Sequence, residues 1–578
     1  MSVFFNGRQW VSPATMSKVD DSAMYNRNPS VGNIAALIGK STGGAPASPL
    51  RFGSASEARS VLRSGDLLTA VEKAFDASND TAGPVEVVAF RADPATQGTY
   101  TFAGQGGANN LMVVSSSDYG AWVNNIAIKI EDGTSRGKKI TTQFGNDFHV
   151  GDNLARDVAV VSYTGSGTNP GISVSPEIIN LYANNATASM IDLSTIENVA
   201  QLVERINSVT DFSATLQDGS GDLPVLRVFE TTGNNGASTS SLDAGATYTV
   251  TANSYEAVRW LNSNAEGFVD ALLVDPSSAI ENLANTTGFV YLTGGSDGAA
   301  VTADWQTCFD AMQLIDVQFV APISASPAVH SMADTHCQFM SDVMRMERRC
   351  IVGTDVSTTD DDAIAAALAL NSDRCSLVHL GFYDYDSTGV LVLRPPYIMA
   401  GLLAGMFSGV NPGTALTNKS INVNGLERSL RNPVDTDRLI NGGVLAVEST
   451  RTGYRVVKSI TTWLTNSNYN RVEVSVGFAA DFVSRSVRDA LDPLRGMKAN
   501  AETLSEAEIR VTSALGVLAL SEPYGPGVLA GDADNPAYRN IYVSIDGDVL
   551  RVEFECSPVI PINYIPIVVF AAPYSSTS

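Results

Sequence analysis

The sequence predicts a multidomain protein of combined α/β and α+β class, in which helices flank a central, mainly parallel sheet. Three observations lead to this prediction. Short apolar strands alternate with helical segments between about 255 and 410, a pattern typical of parallel sheets. Residues 105–245 are rich in Gly, Ser, Thr, Asn and Ala with short alternating runs, which indicates a β-rich insertion. The C-terminal region combines an amphipathic helix with a β-hairpin and an extended terminal strand.

The length of the chain is enough for several domains. It has 578 residues, of which 44% are hydrophobic, so large cores are expected. We divide it into an extended N-terminal arm (1–28), a discontinuous α/β domain (29–104 plus 246–420), an inserted β-rich domain (105–245) and a C-terminal domain that ends in a strand (421–578).

The first half of the chain carries short strand and helix signals. The apolar runs Ile34–Ile38 and Val85–Phe90 predict strands of the α/β domain, and Ser56-Glu57-Ala58 predicts the start of a helix between them. Alternating runs at 126–130 and 158–162 predict strands of the insertion.

One helix is predicted inside the insertion. Ser194 and Glu197 have the spacing of a capping box, in which each side chain binds the other residue's backbone amide. The apolar residues that follow at helical spacing are Val199, Leu202, Val203 and Ile206.

From about 289 the chain alternates between strands and helices. Phe289–Leu292 predicts a strand, and Gly294–Gly298 a tight loop before a helix whose buried stripe is Trp305, Cys308, Phe309 and Met312. Thr359 caps the next clear helix, with Asp362 three residues on. The strands predicted here are 317–321, 350–353 and 376–380, and the helices are 332–346 and 360–370.

The C-terminal region predicts one amphipathic helix and one hairpin. Arg485 and Arg488 lie off the apolar stripe of the helix, which consists of Val476, Ala480, Val483, Val487 and Leu491. Asp546-Gly547-Asp548 is a hairpin turn between the alternating runs 540–545 and 549–556.

Both ends of the chain read as apolar strands without an evident partner. The N-terminal run 2–11 is short and contains an Asn-Gly turn, and the C-terminal run Tyr564–Ala572 follows a Pro-spaced link. Exposed strand edges recruit other chains, so these ends predict strand addition between subunits. The alternative is that they complete sheets of their own chain.

Charge and composition exclude several classes of function. A net charge of −24 argues against a nucleic-acid partner held through its phosphates. No apolar run approaches the roughly 20 residues that a membrane-spanning helix needs, and no secretory signal is evident. The five cysteines are scattered without a CxxC pair, which predicts reduced, buried thiols.

One stretch of the acidic chain is locally basic. Residues 421–500 hold 11 Lys and Arg against 8 Asp and Glu. This excess predicts either a surface for an acidic protein partner or ordinary scatter of charge.

Motifs for catalysis, cofactors and metals are incomplete. Gly39-Lys40-Ser41 lacks the earlier Gly of a phosphate loop, because position 34 is Ile. Gly294–Gly298 lies between a strand and a helix but lacks a following Lys. Asp384–Gly389 lacks the Glu that closes a calcium loop, and Asp360–Asp362 fits a helix start without any metal.

The histidines do not form a metal-binding motif. The four are too few and wrongly spaced for a zinc motif, so core or surface positions are expected for His149, His330, His336 and His379. We therefore predict no catalytic, cofactor-binding or metal-binding residues, and no enzyme.

A series of short motifs nevertheless occurs in a recognisable order along most of the chain outside 105–245. The most specific is Leu292-Thr-Gly-Gly-Ser-Asp-Gly298 followed by Trp305. The others are Ile34-Ala-Ala-Leu-Ile-Gly39, Gly43-Gly44, Phe52-Gly53, Val87-Val88-Ala-Phe-Arg91, Ala400-Gly401-Leu-Leu-Ala404-Gly405, Asn411-Pro-Gly413-Thr-Ala-Leu-Thr417-Asn418-Lys419, Gly453-Tyr-Arg455-Val-Val, Thr461-Thr462 and the terminal hairpin. In this order they resemble the contractile tail sheath proteins of phages and of related contractile injection systems. Within the insertion, Gly120-Ala-Trp122-Val-Asn124 departs from the family pattern at Val123, where Gly is usual.

The resemblance implies a structural subunit of a virion tail. Such subunits assemble in the host cytoplasm as stacked hexameric rings around an inner tail tube, with baseplate and tail terminator proteins as further partners. On triggering, the sheath shortens and drives the tube through the host envelope. No nucleotide, other cofactor, nucleic acid or membrane is implied as a partner.

The resemblance also implies roles for particular residues. Strand exchange between subunits is expected at Phe4, Phe5, Trp10, Ile567, Val569 and Phe570. Contact with the tube is expected at Arg485 and Arg488, and the 105–245 insertion is expected to face outward.

Two rival interpretations stay open from the sequence. One is a soluble α/β enzyme with a ligand at the Gly294–Gly298 loop. The other is a different virion structural protein such as a tail tube protein, which is normally shorter and lacks the α/β domain.

Overall fold

The computed structural model describes most of the chain. The described residues are 3–5, 8–10, 33–105, 110–233, 236–265, 267–274 and 282–571. They form several sheets and helices, so the mixed α/β multidomain class is confirmed. The C-terminal region contains more helices than the sequence predicts.

The chain divides into two compact units. Unit 1 comprises Met1–Ala36, Lys73–Val87 and Gln313–Ser578, and unit 2 comprises Leu37–Glu72 and Val88–Met312. The helices are α1 (Ala55–Leu62), α2 (Asp66–Phe75), α3 (Val199–Asn207), α4 (Tyr255–Asn264), α5 (Thr302–Met312), α6 (Pro327–Asp342), α7 (Asp360–Leu370), α8 (Pro396–Ser408), α9 (Val434–Asn441), α10 (Tyr469–Val472), α11 (Val474–Leu491) and α12 (Ala501–Ala519).

The strands are short and form one six-stranded sheet and several smaller sheets. The strands of the first half are β1 (Val3–Phe5), β2 (Arg8–Trp10), β3 (Ile34–Gly39), β4 (Leu50–Phe52), β5 (Glu86–Arg91), β6 (Thr99–Ala103), β7 (Asn110–Ser116), β8 (Ala127–Asp132), β9 (Lys138–Phe144), β10 (Asp147–Leu154), β11 (Asp157–Tyr163), β12 (Gly171–Val174), β13 (Ile178–Ala183), β14 (Ala186–Asp192), β15 (Phe212–Leu216), β16 (Ser240–Ser241), β17 (Thr247–Thr251) and β18 (Val269–Leu273). Those of the second half are β19 (Val290–Tyr291), β20 (Phe319–Pro322), β21 (Arg349–Gly353), β22 (Cys375–Val378), β23 (Phe382–Tyr385), β24 (Leu391–Arg394), β25 (Gly425–Leu426), β26 (Val447–Thr450), β27 (Gly453–Val456), β28 (Tyr538–Asp546) and β29 (Val549–Cys556).

The largest sheet has six strands in the order β22-β21-β20-β3-β5-β4. Strand β21 pairs in parallel with both β20 and β22. Every residue of β20, β21 and β22 is buried, which is why these strands read as continuous rather than alternating apolar runs. Helix α8 is buried along almost its whole length and packs on the same three strands.

Two hydrophobic cores lie among the strands of the described part of unit 2 between β6 and β19. One lies among β6–β10, β18, β19 and α4, and the other among β11–β15, β17 and α3. The second core belongs to a nested segment whose ends meet, because Asp157 at the start of β11 pairs with Thr251 at the end of β17. The backbone amide of Ala252 also donates to the carbonyl of Arg156 at 2.8 Å.

Local signals in the sequence match several element ends. Thr359 caps α7 and accepts a hydrogen bond from the amide of Asp362 at 3.2 Å, as predicted. The four stripe residues of α5 are all buried, also as predicted.

The predicted cap at Ser194 is wrong. Helix α3 is capped by Asn198, whose side chain accepts from the amide of Gln201 at 3.0 Å. The Gln201 side chain accepts from the amide of Glu197, the residue before the cap, rather than from the amide of Asn198 as a reciprocal capping box requires. Ser194 instead hydrogen-bonds Asp192 in a short turn that precedes the helix.

Candidate functional site

The terminal hairpin is a two-stranded sheet. Strands β28 and β29 pair only with each other in the part of the chain that the structure describes. Asp546 pairs with Val549 around a two-residue turn, and Gly547 at its first position has φ of 64°, a value that Gly adopts without strain. The predicted hairpin is therefore confirmed at the predicted turn.

One face of this hairpin packs on helices. Val552, Phe554 and Ile541 lie against a core formed by α11 and α12, which includes Phe482 and Leu515. Residues Val549, Arg551, Glu553 and Glu555, on the opposite face of β29, are exposed. The side chains of β29 therefore alternate between a face packed on the helices and a face exposed to solvent, as the alternating sequence predicts.

The two edges of the hairpin differ. Strand β28 is interrupted by a bulge between Arg539 and Tyr542, where Asn540 has φ of 54°. Bulges distort a strand edge and reduce its ability to accept another strand. Strand β29 runs without interruption for eight residues and so offers the regular edge.

The segment after β29 is fixed to the body of unit 1. The amide of Ala530 donates to the carbonyl of Ser557, and the amide of Val559 donates to the carbonyl of Val528, both at 2.9 Å. These backbone bonds fix the first residues beyond the hairpin.

Asn563 holds the last anchored point. Its side-chain oxygen accepts from the hydroxyl of Thr417 at 3.2 Å, and its amide nitrogen donates to Glu473 at 3.4 Å. Glu473 is buried and also accepts from the hydroxyl of Ser459 at 2.5 Å. Lys458 lies 5.6 Å from the ring centroid of Tyr564.

Burial shifts the pKa of the Glu473 carboxyl group. Desolvation raises the pKa of Glu473 above its usual range, against the opposing effects of the hydrogen bond from Ser459 and the charge of Lys458.

Beyond Tyr564 the chain leaves the body as an exposed arm, which we define as residues 565–571. The arm has no regular secondary structure and forms no strand pairing among the described residues. Its apolar side chains are almost fully open to solvent: Ile567 is 78% exposed, Val569 81% and Phe570 92%. A contiguous exposed apolar stretch of this kind indicates a surface for another protein.

The N-terminal run forms a small antiparallel hairpin. Strand β1, which includes Phe4 and Phe5, pairs with β2, in which Trp10 is the partner of Val3. The roles of Phe4, Phe5 and Trp10 in strand exchange stay predictions.

Arg485 and Arg488 are both engaged within unit 1. Arg485 forms an ion pair with Asp316 at 2.8 Å, and Arg488 pairs with the buried carboxylate of Glu347. Arg488 also donates to the carbonyl of Arg345 at 2.7 Å. These contacts fix α11 to the loops that precede β20 and β21, and contact of the two arginines with a tube stays a prediction.

The Gly294–Gly298 loop serves as an internal clamp of unit 2. The fully buried guanidinium of Arg91 donates to Asp297 at 3.0 Å, and the amide of Gly295 donates to the Asn124 side chain at 2.9 Å. A Cβ at Gly295 would lie 2.5 Å from the side chain of Val123, so only Gly fits there. The motif therefore has a structural reason that requires no ligand.

A cavity of about 370 Å³ opens beside the turn of the terminal hairpin. Its polar lining includes Arg488, Arg495 and Asp548. Its apolar lining is formed by Leu491, Leu494, Met497, Ile545, Val549 and Leu550.

The predicted burial of the thiols holds for four of the five cysteines. Cys308, Cys337, Cys350 and Cys375 are buried free thiols, and Cys556 is half-buried. Burial raises the pKa of Cys308 to about 12, so this thiol stays protonated. Three histidines, His330, His336 and His379, are buried in the core of unit 1.

The described residues offer neither a metal-binding cluster nor a membrane-spanning helix. In that part of the chain, no group of three or more His, Cys, Asp or Glu side chains could hold a metal ion. Asp386 in the calcium-like loop instead caps its own turn, accepting from the amides of Thr388 and Val390 at 2.9 Å each. Over the same described ranges, no helix combines the length and the apolar character needed to cross a membrane.

Sequence reasoning missed three parts of this site. Helix α12 was not predicted, because its buried positions include weakly apolar residues such as Thr503 and Ala507. The Asn563–Glu473 contact joins residues 90 positions apart, and no local signal marks it. The cavity beside the hairpin likewise depends on packing between distant segments.

Known proteins resemble this chain in sequence along nearly its whole length. The tail sheath protein of Bacillus phage SP01 is 29% identical over 588 aligned residues, which cover 97% of this chain and 96% of that protein. The tail sheath protein of Staphylococcus phage Twort is 24% identical over 513 residues, covering 83% of this chain and 84% of that protein. No family model matches the chain.

Solved structures agree in fold. The sheath tail protein of Listeria innocua superposes with a TM-score of 0.54 at 12% identity, covering 91% of this chain and 92% of that one. The sheath tail protein of Desulfitobacterium hafniense gives a TM-score of 0.50 at 12% identity, covering 95% and 99%. The resemblance predicted from the sequence motifs is confirmed: the chain is similar in sequence to phage tail sheath proteins and similar in fold to bacterial sheath tail proteins.

Proposed function

We propose that this chain is the structural subunit of a contractile tail sheath. It polymerises as stacked hexameric rings around an inner tail tube and shortens to drive the tube through the host envelope. It is assembled in the host cytoplasm and is part of the virion tail, in line with the names of its relatives. The single observation that carries the proposal is the exposed apolar arm at 565–571.

The arm supports polymerisation because its side chains find no partner surface within the described chain. Burial of apolar area between chains releases about 25 cal/mol per Å², and a strand added to an open sheet edge gains backbone hydrogen bonds as well. Ile567, Val569 and Phe570 are the residues that strand exchange buries. The N-terminal hairpin with Phe4, Phe5 and Trp10 is a second pairing element.

The attachment of the arm supports contraction. The chain is held at Ser557, Val559 and Asn563, and its described residues beyond Tyr564 make no strand pairing. An anchored root followed by an unstructured segment allows the arm to act as a tether while rigid bodies slide between two packings. The energy for contraction is then the difference between those packings, and no nucleotide or other cofactor is needed.

The remaining partners follow from the same proposal. Besides copies of itself, the subunit contacts the tube, baseplate and tail terminator proteins. The 105–245 segment faces outward, and the 421–578 segment faces the tube with Arg485 and Arg488 on its surface. Because both arginines are held in ion pairs, any contact with the tube adds to those pairs.

The enzyme alternative has no observation in its favour. Its ligand site would be the Gly294–Gly298 loop, where the amide of Gly295 and the carboxylate of Asp297 are already bonded to Asn124 and Arg91. The relatives carry the names of structural tail proteins. We therefore propose a function without catalysis.

Removal of the residues after Tyr564 tests the proposal. We expect this truncated chain to be folded and soluble, since the arm contributes nothing to the cores of either unit, but unable to form hollow cylinders in negative-stain electron micrographs. The full chain under the same conditions should form them. Cylinders of normal length from the truncated chain would rule out strand donation by the arm.

A further inference from the structure

The inference concerns where and in which orientation the arm of a neighbouring copy binds, and it rests on the proposed strand exchange. Strand β29 is the regular edge of the terminal hairpin, because the bulge at Asn540 interrupts β28. Antiparallel pairing is slightly more stable per residue than parallel pairing. An arm antiparallel to β29 runs toward the hairpin turn, where the cavity of about 370 Å³ opens.

The hydrogen-bond pattern of the hairpin decides which residues of β29 face the open edge. A two-residue turn makes the flanking residues, Asp546 and Val549, a hydrogen-bonded pair. Backbone groups alternate between the two edges along a strand. Those of Leu550, Val552 and Phe554 therefore point to the open edge, and their side chains are on the face that packs on α11 and α12.

Pro566 decides which edge of the arm can pair. Proline has no N–H, so one edge of the arm lacks a donor at this position. The amides of Ile565, Ile567 and Val569 point to the other edge, which is complete. Pairing through that edge places these three residues opposite hydrogen-bonding residues of β29.

Paired residues in an antiparallel ladder have side chains on the same face. Ile565, Ile567 and Val569 therefore lie on the helix-facing side of the hairpin, and Val568 and Phe570 lie on the solvent side. The three inward branched residues of the arm match the three inward apolar residues of β29, with Val569 nearest the turn.

We propose that the arm of a neighbouring copy adds antiparallel to β29 with Val569 opposite Leu550, so that Val569 occupies the cavity at the hairpin turn. Ile567 then lies opposite Val552, and Ile565 opposite Phe554. The cavity is the seat of the last inward side chain of the arm, and Phe570 remains on the opposite face.

Disulfide trapping between full-length chains tests the face and the register. Partners in a hydrogen-bonded antiparallel pair have Cα atoms about 5.5 Å apart, which a disulfide spans. A chain with Val569→Cys is mixed with a chain carrying Leu550→Cys, both with Cys556→Ser, and allowed to polymerise before mild oxidation. We expect a covalent dimer on non-reducing gels.

Two matched pairs serve as controls. Phe570→Cys with Leu550→Cys tests the opposite face, and Val569→Cys with Val552→Cys tests a register shifted by two residues. We expect at least tenfold less dimer from each. If polymers form but either control pair is trapped as well as the proposed pair, the orientation or the register is wrong while strand exchange itself stands. If the unmodified chain forms no polymers, the proposed function fails together with this inference.

Filling the cavity gives an independent readout. Ala499 lines the cavity and is exposed, so Ala499→Trp places an indole there without disturbing the core. We expect the critical concentration for polymerisation to rise at least tenfold, with unchanged thermal unfolding of the monomer, whereas Ala499→Ser should behave as the parent chain. An unchanged critical concentration for Ala499→Trp would show that the cavity is not the seat of Val569.

Discussion

Shortening Ile567 in two steps measures how much the arm contributes to polymerisation. Ile567→Val removes one carbon group and Ile567→Ala removes three, each worth about 0.8 kcal/mol when buried. Because Ile567 is 78% exposed in the single chain, nearly all of this burial becomes available only between chains. With about 1.4 kcal/mol for each tenfold change, the critical concentration should rise about 4-fold for Val and about 50-fold for Ala.

Pelleting of polymer at a series of protein concentrations gives the critical concentration directly. The monomer should unfold at the same temperature in all three chains, because substitution of an exposed residue changes the free energy of unfolding by less than about 0.5 kcal/mol. The graded series separates loss of contact from loss of folding. A critical concentration for Ile567→Ala within twofold of the parent chain would refute the burial of this residue between subunits.

Two further predictions concern the anchored parts of unit 1. Burial raises the pKa of Glu473 in the folded chain above its value in the unfolded chain. Relative to Gln, Glu473 therefore stabilises the folded chain at pH values below the unfolded-state pKa, and this stabilisation is lost as the pH rises through the raised folded-state pKa. Urea unfolding between about pH 4 and about pH 7.5 should therefore shift in favour of Glu473→Gln as the pH rises, and a pH-independent difference would contradict this. Arg488→Glu should lower the free energy of unfolding by about 2–3 kcal/mol, because it places a second carboxylate beside the buried Glu347 and leaves that residue only its 3.5 Å contact with Arg485. The swap Arg488→Glu with Glu347→Arg should restore most of it, and if the swap also restores binding to the tube, the predicted tube contact of Arg488 is wrong.

Local patterns in the sequence were sufficient where one short segment determines the structure. The terminal hairpin follows from Asp546-Gly547 between two alternating runs, and the start of α7 follows from Thr359. The stripe of α5 has strongly apolar residues at helical spacing, so its buried face could be predicted as well.

Prediction failed or stopped where distant residues decide the outcome. Helical periodicity places Arg485 and Arg488 off the apolar stripe, but their acidic partners, Asp316 and Glu347, lie more than 130 positions away in sequence. The cap of α3 is an exception, because it is decided locally: Asn198 and Gln201 fit the cap pattern as well as Ser194 and Glu197 do. The root of the arm at Asn563 depends on three segments that meet only in the folded chain.

The nested segment of unit 2 has a consequence for engineering. Because Asp157 and Thr251 are strand partners, the polypeptide enters and leaves this lobe through neighbouring positions about 5 Å apart. A foreign domain with adjacent termini can therefore be grafted in place of this lobe while the rest of the chain keeps its path.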